Sequence, residues 1–146
     1  MDLGLQGVVA IVTGAGRGIG LAVTRTLAAE GAVVLAASRS VTPALAALSE
    51  TSFASGGAVH PVVADLTDAS VADDLVRQAG ALGPLTVLVN NVGGGHPRTG
   101  GFGSVTDDQW IETFQLDAVT AIRMTRAALP AMRDAGHGSV VTVASV

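Results

Sequence analysis

Short apolar runs alternate along the chain with longer segments that carry apolar residues at helical spacing. The runs lack a strict alternation of apolar and polar residues, which predicts strands that are buried on both faces. They occupy residues 8–12, 32–37, 58–64, 85–89 and 139–146. The helical spacing covers residues 21–30, 43–53, 69–80 and 106–133. This order of elements predicts an α/β fold with a doubly wound parallel sheet and helices on both faces.

Prolines and threonines mark where several of these elements begin or are disturbed. Thr42 precedes a proline and predicts the N-cap of the second helix. Thr106 and Gln109 have capping-box spacing and predict the start of the long helix. Pro61 predicts that the third strand lies at a sheet edge, because proline cannot donate to the ladder. Pro130 is expected to bend or shorten the long helix near its end.

A glycine-rich turn, residues 13–20, joins the first strand to the first helix. Such a turn lets a ligand approach the main chain, and the free amides at the helix start attract phosphate. Gly14, Gly18 and Gly20 have the spacing G-x-x-x-G-x-G, which differs from the G-x-G-x-x-G dinucleotide fingerprint. Taken alone, the turn leaves two interpretations open: a phosphate site, or a glycine turn without a ligand.

Composition narrows the classes of function. The chain has 146 residues, almost half of them apolar, which predicts one domain over residues 1–146. The net charge is −4, there is no lysine and the arginines are scattered, so nucleic acid is not expected as a partner. There is no cysteine and the histidines are far apart, so no metal site is expected. No apolar segment is long enough for a membrane helix, and a cytoplasmic protein is expected.

Three motifs together resemble the classical short-chain dehydrogenase/reductase family. They are the glycine turn of residues 13–20, the pair Asp65-Leu66 after the third strand, and Asn-Asn-Val-Gly at residues 90–93 after the fourth. The last motif departs mildly from the Asn-Asn-Ala-Gly that is usual in the family. The resemblance runs from about residue 5 to the last residue and implies a Rossmann-type sheet.

The resemblance implies a dinucleotide site at the ends of three strands. The phosphates would lie against the turn residues Gly14, Gly16, Arg17, Gly18, Ile19 and Gly20. Asp65 and Leu66 would border the adenine, and Asn91, Val92 and Gly93 would lie along the cofactor near the nicotinamide ribose. Taken singly, Asp65 could instead cap the following helix and Asn90 could brace the central strand.

The end of the second strand favours NADP(H) over NAD(H). An NAD site usually places a carboxylate there for the ribose hydroxyls, whereas arginine accommodates the extra phosphate of NADP. This chain has Ser38 and Arg39 at that point and no carboxylate. Arg39 can bind a phosphate through two donors, and Arg17 could assist. The alternative is that Arg39 is a solvated loop charge.

The resemblance also implies catalytic residues, and this chain departs from them. Ser145 matches the serine that holds the substrate oxygen in the family. Asp117 stands where the family has an asparagine that positions a water, and a carboxylate cannot donate as an amide does. The family's proton-transferring tyrosine and its lysine have no counterpart, because the sequence contains neither residue type. We therefore expect this chain alone to be inactive.

We expect the sequence to be the amino-terminal part of a longer enzyme, truncated after the fifth strand. Residues 139–146 would form an apolar sheet edge with no charge against strand pairing, which favours aggregation. The predicted activity of the whole protein is interconversion of a carbonyl and an alcohol on a small molecule, with substrate contacts from the loop at residues 93–104. By resemblance, the full-length form would be a homo-oligomer. The alternative is a non-catalytic dinucleotide-binding or interaction module.

Overall fold

A computed structural model describes residues 3–94 and 99–144. The strands of the described part are β1 (Val9–Thr13), β2 (Val33–Ser38), β3 (Ala58–Val63), β4 (Leu85–Asn90) and β5 (Ser139–Thr142). The α-helices are α1 (Gly18–Ala29), α2 (Pro43–Ser49), α3 (Val71–Leu82), α4 (Asp107–Phe114) and α5 (Thr120–Asp134). None of the helices in these described ranges is long and apolar enough to cross a membrane.

The strands form one parallel sheet in the order β3-β2-β1-β4-β5. Strand β1 pairs with β2 on one side and with β4 on the other, and it is buried along all five residues, because apolar layers cover both faces of the sheet there. The connections from β1 to β3 move outward in one direction, and the chain then crosses back to β4. The predicted Rossmann-type, doubly wound sheet is confirmed.

Two apolar layers cover the two faces of the sheet. On one face Ala28 of α1 and Leu45 and Leu48 of α2 pack against alternate residues of β1 and β2. On the other face Leu75 of α3 and Met124 of α5 join a second buried cluster. Because successive strand residues point to opposite faces, one continuous apolar run serves both layers.

Three of the local signals are confirmed. The Thr42 hydroxyl accepts a hydrogen bond from the Leu45 amide and caps α2, with proline at the first helical position. Thr106 and Gln109 form the capping box of α4. Pro61 lies in β3, which is an edge strand of the sheet.

The second helix ends earlier than predicted, at Ser49 instead of residue 53. The hydroxyls of Ser49 and Thr51 donate to the carbonyls of Ala46 and Ala47. These side-chain bonds compete with the continuation of the helix ladder. The third helix also begins two residues late, because Asp68 bonds the amide and hydroxyl of Ser70 in a local turn.

The long helix of residues 106–133 is interrupted in an unforeseen place. A π-helical segment, Gln115–Val119, separates α4 from α5. Pro130 does not shorten the helix, since α5 continues to Asp134. Ala128 and Met132 are buried in the core on either side of the proline and hold this turn of the helix in place.

The fifth strand is shorter than the predicted range 139–146. It ends at Thr142, which lies opposite Asn90, the last residue of β4. Only the Val143 amide continues the ladder, by donating to the Asn90 carbonyl. The strand ends where its partner strand ends, and residues 145 and 146 lie outside the described ranges.

Candidate dinucleotide-binding cleft

A cleft of about 640 Å³ opens where strands β1 to β4 end. Ligands of doubly wound sheets bind at the carboxyl edge, at the point where the strand order reverses. In this sheet the reversal lies between β1 and β4. The volume is in the range of sites for small organic molecules.

The glycine turn after β1 forms the floor of the cleft. Gly14 has a φ of +64°, a conformation that favours glycine. A Cβ there would lie 2.9 Å from the side-chain nitrogen of Asn91, Nδ2. A Cβ on Gly20 would overlap the Gly14 carbonyl oxygen. The turn therefore folds tightly enough that no side chain fits at these two positions, and its main chain is left open to the cleft.

The hydroxyl of Thr13 joins the glycine turn to the loop after β4. It accepts hydrogen bonds from the amides of Asn91, at 2.9 Å, and Val92, at 3.2 Å, and it donates to the Val89 carbonyl at 3.3 Å. The Asn91 side-chain amide donates to the Gly14 carbonyl at 3.2 Å. One buried hydroxyl and one amide thus fix two walls of the cleft relative to each other.

The segment after β2 forms the opposite wall. The Ala15 amide donates to the Ala37 carbonyl at 3.0 Å, and the Thr42 hydroxyl donates to the Gly16 carbonyl at 2.6 Å. Ser38 bonds the Ser40 carbonyl at 2.7 Å, which folds the segment into a turn. The described part of this wall carries the guanidinium of Arg39 and no carboxylate.

Asp65 stands at the end of β3 and forms the third wall with Leu66. Its carboxylate accepts bonds from the Thr67 hydroxyl at 2.7 Å and the Thr67 amide at 3.0 Å. These bonds lower the pKa of Asp65 below its ordinary value of 3.8, with a smaller contribution from the positive charge of Arg39. Arg123 of α5 donates to the Thr67 carbonyl at 2.9 Å and holds this turn from outside the cleft.

Asp117 lies in the π-helical segment beside the loop after β4. Its carboxylate accepts a hydrogen bond from the Gly94 amide at 2.9 Å. It is exposed and does not line the cleft, whereas its neighbour Leu116 does. The other predicted catalytic residue, Ser145, lies outside the described residues, as do His96 and Arg98 of the predicted substrate loop.

Asn90 is buried behind the cleft. Its side-chain nitrogen donates to the Thr125 hydroxyl of α5 at 3.1 Å, and its side-chain oxygen, Oδ1, has no partner within the described residues. This contact ties the end of β4 to α5, which matches the bracing interpretation and not a cleft-lining one. No group of three potential metal ligands occurs in the part of the chain that the structure describes.

Most of the residues proposed from the sequence meet in this one cleft. The proposed residues that line it are Gly14, Gly16, Arg17, Gly18, Ile19, Ser38, Arg39, Asp65, Leu66, Asn91, Val92 and Gly93. Gly20 lies behind the turn, against Gly14 and Asn91. The sequence reasoning missed five lining residues: Ala37, Ser40, Thr42, Ala64 and Leu116. Four of them adjoin a strand end or a cap that the sequence did indicate, and only Leu116 carried no signal.

A doubly wound sheet with a glycine turn at its switch point defines the class of dinucleotide-binding folds. A family model described as short chain dehydrogenase matches residues 8–146, which is nearly the whole chain. The chain belongs to the short-chain dehydrogenase family.

Similar proteins include enzymes that are named for different substrates. A 2,3-dihydro-2,3-dihydroxybenzoate dehydrogenase of Bacillus subtilis is 34% identical over 142 residues, covering 97% of this chain and 54% of that protein. The structure of a 3-oxoacyl (acyl-carrier-protein) reductase of Agrobacterium tumefaciens with NADP bound superposes with a TM-score of 0.83 at 31% identity. It covers 97% of this chain and 54% of that chain.

A third comparison involves the other nicotinamide cofactor. The structure of an NADH-dependent reductase of alginate metabolism superposes with a TM-score of 0.83 at 27% identity, covering 98% of this chain and 60% of that chain. Proteins similar to this chain thus include examples with each of the two cofactors. The chain spans about half the length of the curated relatives it matches, and it corresponds to their amino-terminal portion.

Proposed function

We propose that the protein is an NADP(H)-dependent oxidoreductase that interconverts a carbonyl and an alcohol on a small molecule. The observation that carries the proposal is the cleft: three glycines of the turn, Gly14, Gly16 and Gly18, and the side chain of Arg39 line one space that is large enough for a nucleotide. When bound, the cofactor would supply or accept the hydride. The 146 residues would form a single cofactor-binding domain of this enzyme.

The residues of the cleft fit a dinucleotide. Gly14, Gly16 and Gly18 line the cleft without side chains, so a ligand can approach the main-chain amides of the glycine turn closely. Such amides, at the start of α1, attract phosphate oxygens. Asp65 and Leu66 offer a polar edge and an apolar surface suitable for an adenosine, and the 91–93 loop continues the cleft toward Leu116.

Charge favours NADP(H) over NAD(H). A phosphate on the ribose carries negative charge that a carboxylate would repel and a guanidinium binds through paired donors. Arg39 lines the cleft beside Ser38 and Ser40, and Arg17 lines it from the glycine turn. Among the described lining residues the one acid is Asp65, which follows the third strand and not the second, and one oxygen of its carboxylate accepts both bonds from Thr67.

The proton-transfer half of the reaction needs groups that these residues do not contain. The sequence has no tyrosine and no lysine, so no phenol is present to exchange a proton with a substrate oxygen. We assign Ser145 to holding that oxygen. Asp117 would order the loop around Gly94 and, as a carboxylate, could only accept a hydrogen bond from a water. The 146 residues alone would bind cofactor without turnover.

The remaining assignments follow the same proposal. We assign the protein to the cytoplasm, with a small carbonyl or alcohol as its substrate and with neither nucleic acid nor a membrane as a partner. The net charge of −4 with scattered arginines supports the exclusion of nucleic acid. A homo-oligomer is proposed for the full-length form.

The test is a titration of the purified protein with NADPH and NADH, followed by nucleotide fluorescence. NADPH should bind more tightly than NADH, and Arg39→Ala should weaken NADPH by about tenfold or more while leaving NADH nearly unchanged, because a charged hydrogen bond is lost. Arg77→Ala is the matched control, since Arg77 is exposed on α3 and pairs with Asp74 outside the cleft. Tighter binding of NADH, or an equal loss for both nucleotides, would contradict the NADP assignment.

The second candidate is a non-catalytic dinucleotide-binding module, which the absence of tyrosine and lysine favours. Both candidates predict nucleotide binding. They differ in turnover: reduction of a test ketone by full-length protein supports the enzyme, and binding without turnover in the full-length protein supports the module. Reduction by the 146 residues alone would overturn our inference that they lack the proton donor.

A further inference from the structure

One threonine connects two walls of the cleft that the sequence treats as separate. Thr42 lies 26 positions after Gly16, yet its hydroxyl donates to the Gly16 carbonyl at 2.6 Å. The same hydroxyl accepts from the Leu45 amide at 3.2 Å and caps α2. A hydroxyl has one donor and two acceptor sites, so both bonds can form at once.

The Gly16 carbonyl depends on this bond. Gly16 is buried in the turn, and a buried carbonyl without a partner is unfavourable. The side chains of Ser38 and Thr42 approach Gly16 so closely that a Cβ there would lie 3.3 Å and 3.5 Å from them. The glycine turn therefore rests on the segment of residues 38–42, which also carries Arg39.

We propose that Thr42 is a positioning residue that couples the glycine turn to the Arg39 segment, so that the two walls recognise one nucleotide as a unit. The inference rests on the proposed NADP(H) site. A nucleotide with a ribose phosphate touches both walls, and each contact is strengthened when the other wall is already held in register. A nucleotide without that phosphate engages the glycine turn and gains less from the coupling.

The test compares Thr42→Val with Thr42→Ser in the purified protein. Valine keeps the branched shape and removes the hydroxyl, whereas serine keeps both hydrogen bonds. Thr42→Val should weaken NADPH by about five- to tenfold, the value of a lost hydrogen bond, and NADH by no more than about twofold. Thr42→Ser should keep both affinities within about twofold of the unaltered protein.

Loss of the α2 cap is a separate consequence that needs its own control. Thr106→Val removes the hydroxyl that caps α4 through the Gln109 amide, away from the cleft. Thr106→Val should lower the melting temperature by about as much as Thr42→Val does, because each removes one helix cap. It should leave the ratio of NADPH to NADH affinity unchanged. A change in that ratio in Thr42→Val and not in Thr106→Val would show that it is not a general result of losing a helix cap.

A double-variant cycle with Arg39→Ala completes the test. If Thr42 acts through the Arg39 segment, Thr42→Val should have little further effect on NADPH once Arg39 is removed. Equal losses for NADPH and NADH in Thr42→Val, or full additivity with Arg39→Ala, would overturn the coupling while leaving the nucleotide site intact. Failure of the unaltered protein to bind either nucleotide would instead overturn the proposed function.

Should Thr42→Val not fold, hydrogen exchange in the unaltered protein decides. NADPH, which is proposed to bind both walls, should slow exchange of the Leu45 amide more than NADH does, because Thr42 joins the glycine turn to that amide. Equal slowing by the two nucleotides, or no slowing by NADPH, would overturn the proposal.

Discussion

Two regions of the molecule are built by different means: the cleft rim, which is the four loops after β1 to β4, and the β5 side, which is α4, β5 and the exposed face of α5. At the rim, short hydrogen bonds hold mostly polar and glycine residues: Thr13 to Asn91, Thr42 to Gly16, and Asp65 to Thr67. On the β5 side, all four strand residues are exposed and α4 buries none of its residues. The exposed apolar side chains there include Trp110, Ile111, Phe114, Ile122, Leu129, Val140 and Val141.

The comparison shows that hydrogen bonds shape the rim, where a ligand would be recognised, whereas apolar contacts dominate the β5 side. A hydrogen bond fixes both distance and direction, so the rim holds its four loops in one arrangement that can be complementary to a ligand. Apolar contact is non-directional and leaves the β5 side without such a constraint. The contact between the Phe102 and Trp110 rings, with centroids 5.9 Å apart, joins two exposed side chains and orders no part of the cleft.

The largest effect should come from Gly20→Ala at the base of the rim. The new methyl group would overlap the Gly14 carbonyl, which belongs to main chain and cannot rotate away. We expect a loss of about 4 kcal/mol in the free energy of unfolding, measured with urea, together with loss of NADPH binding.

Gly80→Ala is the control for Gly20→Ala because both glycines lie inside helices. A methyl group on Gly80 meets nothing within 4 Å, and this exposed position has no unusual φ. It should gain about 0.5–1 kcal/mol through a less flexible unfolded chain. Equal effects at the two positions would mean that the tight turn does not govern stability at the rim.

The sequence predicted the parts of the rim but not the bonds between them. Glycine spacing indicated the turn, and Thr42 before a proline indicated a cap, because both signals are local. The bond from Thr42 to Gly16 and the bonds from the amides of Asn91 and Val92 to Thr13 join residues 26 to 79 positions apart. Such contacts depend on the register of neighbouring strands, which no short pattern encodes.

The β5 side was predicted less well, because its details also depend on contacts between distant parts of the chain. The periodicity of residues 106–133 is helical throughout, so the π-helical segment at Gln115–Val119 has no local signature, and Leu116 could not be assigned to the cleft. The apolar run after Ser139 predicted a strand but not its end, since the length of β5 depends on where β4 stops. Where the end of a strand is set by its partner strand, that end can be predicted only from the tertiary structure.

Two valines at matched positions test whether β5 is packed less tightly than the central sheet. Val12 of β1 and Val141 of β5 lie opposite the same residue, Val89, on its two sides. Val12 is fully buried and Val141 is 49% exposed. Val12→Ala should cost about 2–3 kcal/mol in the free energy of unfolding and Val141→Ala about 0.5 kcal/mol or less, measured with urea. Comparable costs would show that β5 is packed as tightly as the central sheet.

We expect the smallest effect on stability at Asp65, an exposed carboxylate of the rim that accepts hydrogen bonds from Thr67. Bonds from Thr67, first from its hydroxyl and then from its amide, lower the pKa of Asp65, whereas partial burial and Asp68 oppose the shift. The folded pKa lies below the ordinary value of 3.8, so this carboxylate stabilises the fold fully above that pH. The contribution is lost as the pH falls through the folded pKa.

Thr67→Ala removes the stronger of the two bonds and should raise the pKa of Asp65 toward its ordinary value, as followed by NMR titration of the carboxyl carbon. Asp68 is an internal control, because its pKa is lowered by hydrogen bonds from Ser70 that this substitution leaves in place. An upward shift confined to Asp65 would show that directional bonds, and not the surrounding charge, set the electrostatics of the rim. An unchanged pKa would leave two causes, the bond from the Thr67 amide, which the substitution keeps, and the charge of Arg39, and Arg39→Ala would raise the pKa only if Arg39 is the cause.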